Sequence, residues 1–176
     1  MEILGTLGEA EAKVLNDAST LLANLSRLGG AAPQSAEEAV GILAQVRDIA
    51  YENLNQIQHE YLILGTVRYL VETSKVSHDV EWQWNPRQTG GFNEPDLRGA
   101  RAGIVVVSAE VTASRRPIGT ILTRMQGTLK KLSGKSFAGD KYYVVRTEAM
   151  AKAARAIVQR EEYPIIVVRL ALNEDL

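Results

Sequence analysis

Apolar residues recur at steps of three and four through the first 74 residues, the spacing that places them along one face of a helix. A first helix is predicted from residue 6 to residue 28 and ends at Gly29-Gly30. Ser35, with Glu38 three residues later, forms a capping pair that begins a second helix. No proline interrupts that helix before about residue 74. The apolar face of the first helix is formed by Val14, Ala18, Leu21, Leu25 and Leu28.

The second predicted helix is the longer of the two, so the first can fold back against only its front half. We predict an antiparallel helical hairpin at residues 1 to 50, attached to an α/β domain at residues 51 to 176. Two helices leave apolar flanks in water, so the hairpin is expected either to form a homodimer or to pack on its own domain. The apolar positions of the second helix are Val40, Leu43, Val46, Ala50, Leu54, Ile57, Tyr61, Leu64, Val67 and Val71.

Beyond residue 79 the pattern changes to the alternation and β-branched runs typical of strands. A loop is predicted at residues 87 to 94, where Phe92 could touch a ligand. The last strand has an unbroken apolar run, which is typical of a parallel strand buried on both faces. Strands are predicted at residues 80–84, 104–112, 141–147 and 165–172, and helices at residues 118–132 and 148–161.

Composition favours one ordinary globular domain with an appendage. The chain has 176 residues, of which 45% are hydrophobic and 23% charged. No apolar run approaches the roughly 18 residues of a membrane span, and the amino terminus lacks a secretory pattern, so a cytoplasmic protein without a membrane partner is expected. The absence of cysteine excludes disulfides, thiolate metal sites and thiol nucleophiles.

A net charge of −1 hides a strong asymmetry along the chain. Residues 1 to 114 hold eight Lys/Arg against fifteen Asp/Glu, whereas residues 115 to 146 hold eight against one. Such a basic block favours a nucleic-acid partner, although a solvated Lys-rich helix face explains it equally well. The side chains of this block that could contact phosphates are Arg115, Arg116, Arg124, Lys130 and Lys131.

Two carboxylates precede this basic block. Asp96 stands before a turn bracketed by Gly99 and Gly103, and Glu110 lies on the predicted strand at residues 104 to 112. If the chain pairs about that turn, both carboxylates emerge at one end of a sheet, where their repulsion favours a hard cation, Mg²⁺ or Mn²⁺. The alternative is that Asp96 starts a turn and Glu110 is an exposed strand residue.

Pro95-Asp96, followed by a strand ending Glu110-Val111-Thr112, resembles the motif of the PD-(D/E)xK nuclease superfamily. The predicted order of elements over residues 50 to 172 is similar to the αβββαβ core of that superfamily, with one extra helix and strand. The resemblance implies a restriction-endonuclease-like three-layer core with a mixed central sheet. It also implies a Mg²⁺- or Mn²⁺-dependent endonuclease that hydrolyses phosphodiester bonds of DNA.

The resemblance implies roles for particular residues. Asp96 and Glu110 would hold the cation, with the backbone carbonyl of Val111 as a third ligand and Glu60 of the second helix as a further acid. Thr112 stands where the superfamily has a lysine that orients the attacking water and stabilises developing charge. Its hydroxyl could hydrogen-bond the water but carries no charge. Positive charge would have to come from elsewhere, and the nearest suppliers are Arg115, Arg116 and Arg124.

Two further expectations complete the sequence-based interpretation. His59 and His78 are expected to be surface residues, because no Ser/His/Asp or His-rich cluster accompanies either of them. Two rival functions remain open: a nuclease-like protein that binds nucleic acid without cutting it, and a subunit of a larger assembly that docks through the helical hairpin. A homodimer would place two acidic sites in one particle, as cutting both strands of a duplex requires.

Overall fold

The computed structural model describes residues 1–86 and 94–171. Most of the predicted loop, including Phe92, and the predicted end of the last strand at Leu172 lie outside the described residues. In sequence order the elements are β1 (Glu2–Ile3), α1 (Leu7–Gly29), α2 (Ala36–Glu72), β2 (Glu81–Trp84), β3 (Leu97–Arg101), β4 (Ile104–Thr112), α3 (Thr120–Ser133), β5 (Asp140–Val145), α4 (Glu148–Arg160) and β6 (Ile165–Arg169).

The six strands form one mixed sheet in the order β1-β2-β3-β4-β5-β6. Strands β1 to β4 are antiparallel neighbours, whereas β4, β5 and β6 are parallel. Parallel neighbours need crossover connections, and α3 and α4 supply them. The predicted α/β class is confirmed, and the finer restriction-endonuclease-like assignment stays a prediction.

Helices cover both faces of the sheet, which makes three layers. Alternation along β5 shows how the sequence produces them: Tyr142 and Val144 pack in the core beneath α2, whereas Tyr143 and Val145 pack in the core beneath α3 and α4. Successive strand residues point to opposite faces, so one buried strand serves both cores.

Helices α1 and α2 form the predicted antiparallel hairpin. A capping box begins α1, in which Thr6 Oγ1 accepts from the Glu9 amide and Glu9 Oε2 accepts from the Thr6 amide. Ion pairs Lys13–Glu60 and Glu11–Arg68 join the two helices. The beginning of α1 belongs to the same core as the sheet and the end of α2, and the division of the chain at residue 50 stays a prediction.

The turn between β3 and β4 differs from the sequence-based prediction. It consists of two residues, Ala102 and Gly103, both at positive φ (50° and 77°), rather than the longer segment beginning at Gly99. Gly99 lies inside β3, where an added Cβ would come within 2.8 Å of the Trp82 ring. Close packing with that indole, not turn geometry, is therefore the reason for glycine at this position.

None of the four helices in the described residues combines the length and the hydrophobicity of a membrane span.

Candidate active site at the end of β4

The structure brings together the two carboxylates that the sequence singled out. The antiparallel register pairs Leu97 with Ala109, and its continuation places Asp96 directly opposite Glu110. Side chains of directly opposed residues lie on one face of the sheet, with Cβ atoms about 5 Å apart. Asp96 and Glu110 are only 9% and 6% exposed. The pair therefore sits at the sheet end and is largely shielded from bulk water.

Backbone groups of the neighbouring strands hold Asp96 in place. The amide of Val111 donates to Asp96 Oδ2 at 2.8 Å. The amide of Asn85, just beyond β2, donates to the Asp96 carbonyl at 2.8 Å. Both contacts follow from the meander of β2, β3 and β4, so the sheet itself fixes this carboxylate.

Glu110 has an unusual electrostatic environment. Burial, together with the negative charge of Asp96, raises the pKa of Glu110 to about 8, and the ammonium of Lys131 opposes this rise. Lys131 Nζ lies 2.6 Å from Glu110 Oε1. A buried acid pair that prefers to retain a proton is the arrangement that a divalent cation can relieve by replacing that proton.

His59 lies in the site, in contrast to its sequence-based prediction. It is 2% exposed, not a surface residue, and its Nε2 lies 3.3 Å from Asp96 Oδ2. Neither ring nitrogen has a hydrogen-bond partner within the described residues. A buried polar group without a well-directed hydrogen bond costs free energy, so beyond its contact with Asp96 this imidazole retains hydrogen-bonding capacity for another group. His78 is exposed, as expected.

Glu60 neighbours His59 in sequence but lies elsewhere in space. Its Oε2 accepts from Lys13 Nζ at 2.8 Å, and its Oε1 accepts from Gln56 Nε2 at 3.0 Å. Successive helical residues are turned by about 100° from each other, so α2 presents His59 to the site and Glu60 to α1. The predicted further acid therefore joins two helices and does not line the cavity described next.

A cavity of about 930 Å³ opens over the carboxylate pair. This volume lies in the range of small-molecule sites, roughly 300–1,000 Å³. Thr112 and the predicted third ligand, Val111, also line the cavity, and the Thr112 hydroxyl is 3.0 Å from the Tyr143 hydroxyl. Burial raises the pKa of Tyr143 to about 12, so its phenol stays protonated. The side chains contributed by the two flanking helices are Tyr51, Asn55, Gln56 and His59 of α2, and Ile121, Arg124, Met125, Thr128 and Lys131 of α3.

The predicted basic residues divide into two groups. Arg124 and Lys131 line the cavity, whereas Lys130 is exposed and lies outside its wall. Arg115 and Arg116 are exposed in the connection between β4 and α3. The position of Lys131 beside Arg124 in the cavity wall has a signal in the sequence. Arg124, Thr128 and Lys131 recur at steps of four and three beside the apolar face of α3, so they share one side of the helix. Nothing comparable marked His59, since its direction depends on how α2 packs.

Oxygen atoms dominate what the site offers to a cation. Within residues 1–86 and 94–171, no group of three or more His, Asp, Glu or Cys side chains is placed to hold a metal ion. The carboxylates of Asp96 and Glu110 and the carbonyl of Val111 remain predicted ligands. Carboxylate and carbonyl oxygens are the donors that Mg²⁺ and Mn²⁺ prefer.

No protein-family model, curated protein or solved structure matches the chain.

Proposed function

We propose that this protein is a metal-dependent nuclease of the PD-(D/E)xK type that hydrolyses phosphodiester bonds of DNA. The observation that carries the proposal is the buried Asp96–Glu110 pair in the wall of an open cavity. The buried imidazole of His59, whose Nε2 lies 3.3 Å from Asp96 Oδ2, also supports it. The mixed sheet with helices on both faces agrees with the core that the Pro95-Asp96 and Glu110-Val111-Thr112 segments imply.

Asp96 and Glu110 would hold Mg²⁺ or Mn²⁺, which supplies charge neutralisation at the phosphate and a lower pKa for water. The chain fixes Asp96 through the Val111 amide and keeps Glu110 out of bulk water. Arg124, which lines the cavity, would bind the phosphate oxygens. In hydrolysis, the water oxygen forms a bond to phosphorus and its proton passes to solvent. The leaving oxygen keeps the electron pair of the broken bond and takes a proton from solvent.

Cleavage assays with duplex DNA, single-stranded DNA and RNA test this function. Wild type should cut DNA with Mg²⁺ or Mn²⁺ and lose activity in chelator. Asp96→Asn and Glu110→Gln should each lower the single-turnover rate by about 100-fold or more, because each removes one of the paired ligands. Glu60→Gln should retain activity, since Glu60 lies outside the cavity. A wild type that cuts none of these substrates with either cation would refute the proposal.

Phosphate binding should extend over the surface beside the cavity. Arg115, Arg116 and Lys130 are exposed, and Arg124 lies at the cavity wall. Contacts of these side chains with phosphates would be sequence-independent and strongly dependent on salt.

The hairpin supports the proposal of a homodimer. Leu15 and Leu22 each follow a buried residue of α1 by one position, and Val40 and Leu43 each follow a half-buried residue of α2 in the same way. One step along a helix turns the side chain by about 100° from the contact between the two helices. Because α1 and α2 run in opposite directions, this turn brings all four side chains to the same side of the hairpin. Exposed apolar patches of this kind mark association sites. The hairpin apolar face consists of side chains that are 47% to 71% exposed, namely Leu15, Leu22, Val40, Leu43, Tyr51 and Leu54.

A further inference from the structure

The position of the missing motif lysine is occupied by a side chain that has a different partner. Thr112 Oγ1 lies 3.0 Å from the Tyr143 hydroxyl, and both groups are uncharged. Strand β4 therefore brings no cation of its own to the Asp96–Glu110 pair. A cation that stabilises charge on a phosphate must come from another element of the fold.

Helix α3 brings one. Lys131 Nζ is 2.6 Å from Glu110 Oε1, and the Lys131 side chain is only 18% exposed. The same amine donates to the Glu94 carbonyl at 3.2 Å and lies 5.5 Å from the centroid of the Phe137 ring. The apolar face of α3 packs against the sheet, which turns the stripe of Arg124, Thr128 and Lys131 toward the cavity. Several contacts thus orient this ammonium group, as catalysis requires.

We propose that Lys131 is a catalytic residue that takes the place of the absent motif lysine. This role of Lys131 rests on the proposed nuclease function, and it differs from the phosphate contact predicted from the sequence. The ammonium beside Glu110 would contact the attacking water and the phosphate oxygens that gain charge as the new P–O bond forms and the old one breaks. Its role is to neutralise charge and donate hydrogen bonds without a net proton transfer.

The absence of cysteine from the chain makes a chemical rescue experiment specific. Lys131→Cys would carry a single thiol, and alkylation with 2-bromoethylamine restores an amine at nearly the length of lysine. The variant is alkylated in urea and refolded, and wild type is carried through the same steps. Single-turnover cleavage at saturating DNA should fall about 100-fold or more in Lys131→Cys, the typical loss for one charge-stabilising donor. Alkylation should recover most of that loss.

Lys152→Cys is the matched control, because Lys152 is an exposed lysine on α4 and does not line the cavity. Its cleavage rate at saturating DNA should stay close to that of wild type before and after alkylation. DNA affinity in chelator provides a readout that does not involve cleavage. At pH 9, above the pKa of about 8 of Glu110, the ionised carboxylate pairs with Lys131, so Lys131→Cys should leave the salt dependence unchanged. Lys130→Cys should reduce the slope of log K against log salt by about one.

The outcomes separate the two proposals. A Lys131→Cys variant that cuts at the wild-type rate, or whose loss alkylation fails to repair although the protein refolds by circular dichroism, overturns the role of Lys131 and leaves the nuclease function intact. A reduced salt slope with normal cleavage would likewise make Lys131 a phosphate contact only. A wild type that does not cut DNA would overturn both proposals.

Discussion

Replacing Glu110 by glutamine should stabilise the metal-free protein, and the gain should grow with pH. The folded protein holds a proton on Glu110 up to about pH 8, whereas the unfolded chain releases it near the ordinary pKa of 4.5. Between these two values the folded state binds the extra proton, so the free energy of unfolding falls as pH rises. A glutamine at this position does not titrate, so the Glu110→Gln variant does not lose this part of the free energy of unfolding as pH rises.

The size of the effect follows from the two pKa values. At about 1.4 kcal/mol per pH unit, the interval from 4.5 to about 8 corresponds to about 5 kcal/mol. This is an upper value because burial and the opposing ammonium of Lys131 both relax when the carboxylate ionises. We therefore expect the stability difference between Glu110→Gln and wild type to increase by about 2–4 kcal/mol between pH 5 and pH 8.5.

Urea unfolding in chelator measures this difference, and the fluorescence of Trp82 and Trp84 in β2 reports the transition. Chelator is needed because a cation bound to Glu110 would displace the proton. Glu37→Gln is the control, since Glu37 is an exposed glutamate in the first turn of α2 and does not line the cavity. A Glu110→Gln difference that stays constant from pH 5 to pH 8.5 would refute the reasoning. It would mean that the ion pair with Lys131 outweighs burial.

Three further outcomes are expected. Gly99→Ala should lower the free energy of unfolding by about 1–3 kcal/mol, because its methyl group would overlap the neighbouring indole ring. Gly8→Ala on the open surface of α1 is the control and should be neutral or stabilising. Equal urea midpoints for the two variants would contradict this prediction. Leu22→Glu should convert a dimer into a monomer with unchanged circular dichroism, because it places a charge in the hairpin apolar face. A wild type that is monomeric by light scattering at high concentration would exclude the dimer. Replacing Arg124 and Lys130 together by alanine should lower the slope of log K for DNA against log salt by about two, and an unchanged slope would move the binding surface elsewhere.

Features that depend on short stretches of sequence were predictable. Strand β4 has the predicted bounds, 104 to 112, because a β-branched run between a glycine turn and a polar segment leaves little choice. The beginning of α2 at residue 36 follows from Ser35, whose side chain accepts from the Glu38 amide. The pairing of Asp96 with Glu110 was predictable because only a few residues separate the two strands, even though the turn itself was placed too broadly.

Features that depend on how distant elements pack were not predictable in the same way. Helical periodicity shows which residues share a face of α2, but not which neighbour each face meets. His59 and Glu60 are both buried, and only the packing of α2 against α1 and the sheet decides that the first meets Asp96 and the second meets Lys13. Lys131 was predicted only as one of several basic side chains that could contact phosphates, and its contact with Glu110 depends on how α3 packs against the sheet.

Helix α2 has a mechanical consequence for any assembly built on this protein. It is continuous for 37 residues, which at about 1.5 Å per residue makes a rod of roughly 55 Å. One end is embedded in the core and the other carries Leu43 of the hairpin apolar face, with His59 between them. From Leu43 to His59 the helix rises by roughly 24 Å at the same pitch. A partner bound to the hairpin apolar face near Leu43 is therefore held at a fixed distance from the cavity. The length of α2 sets the distance between that docking site and the acidic pair.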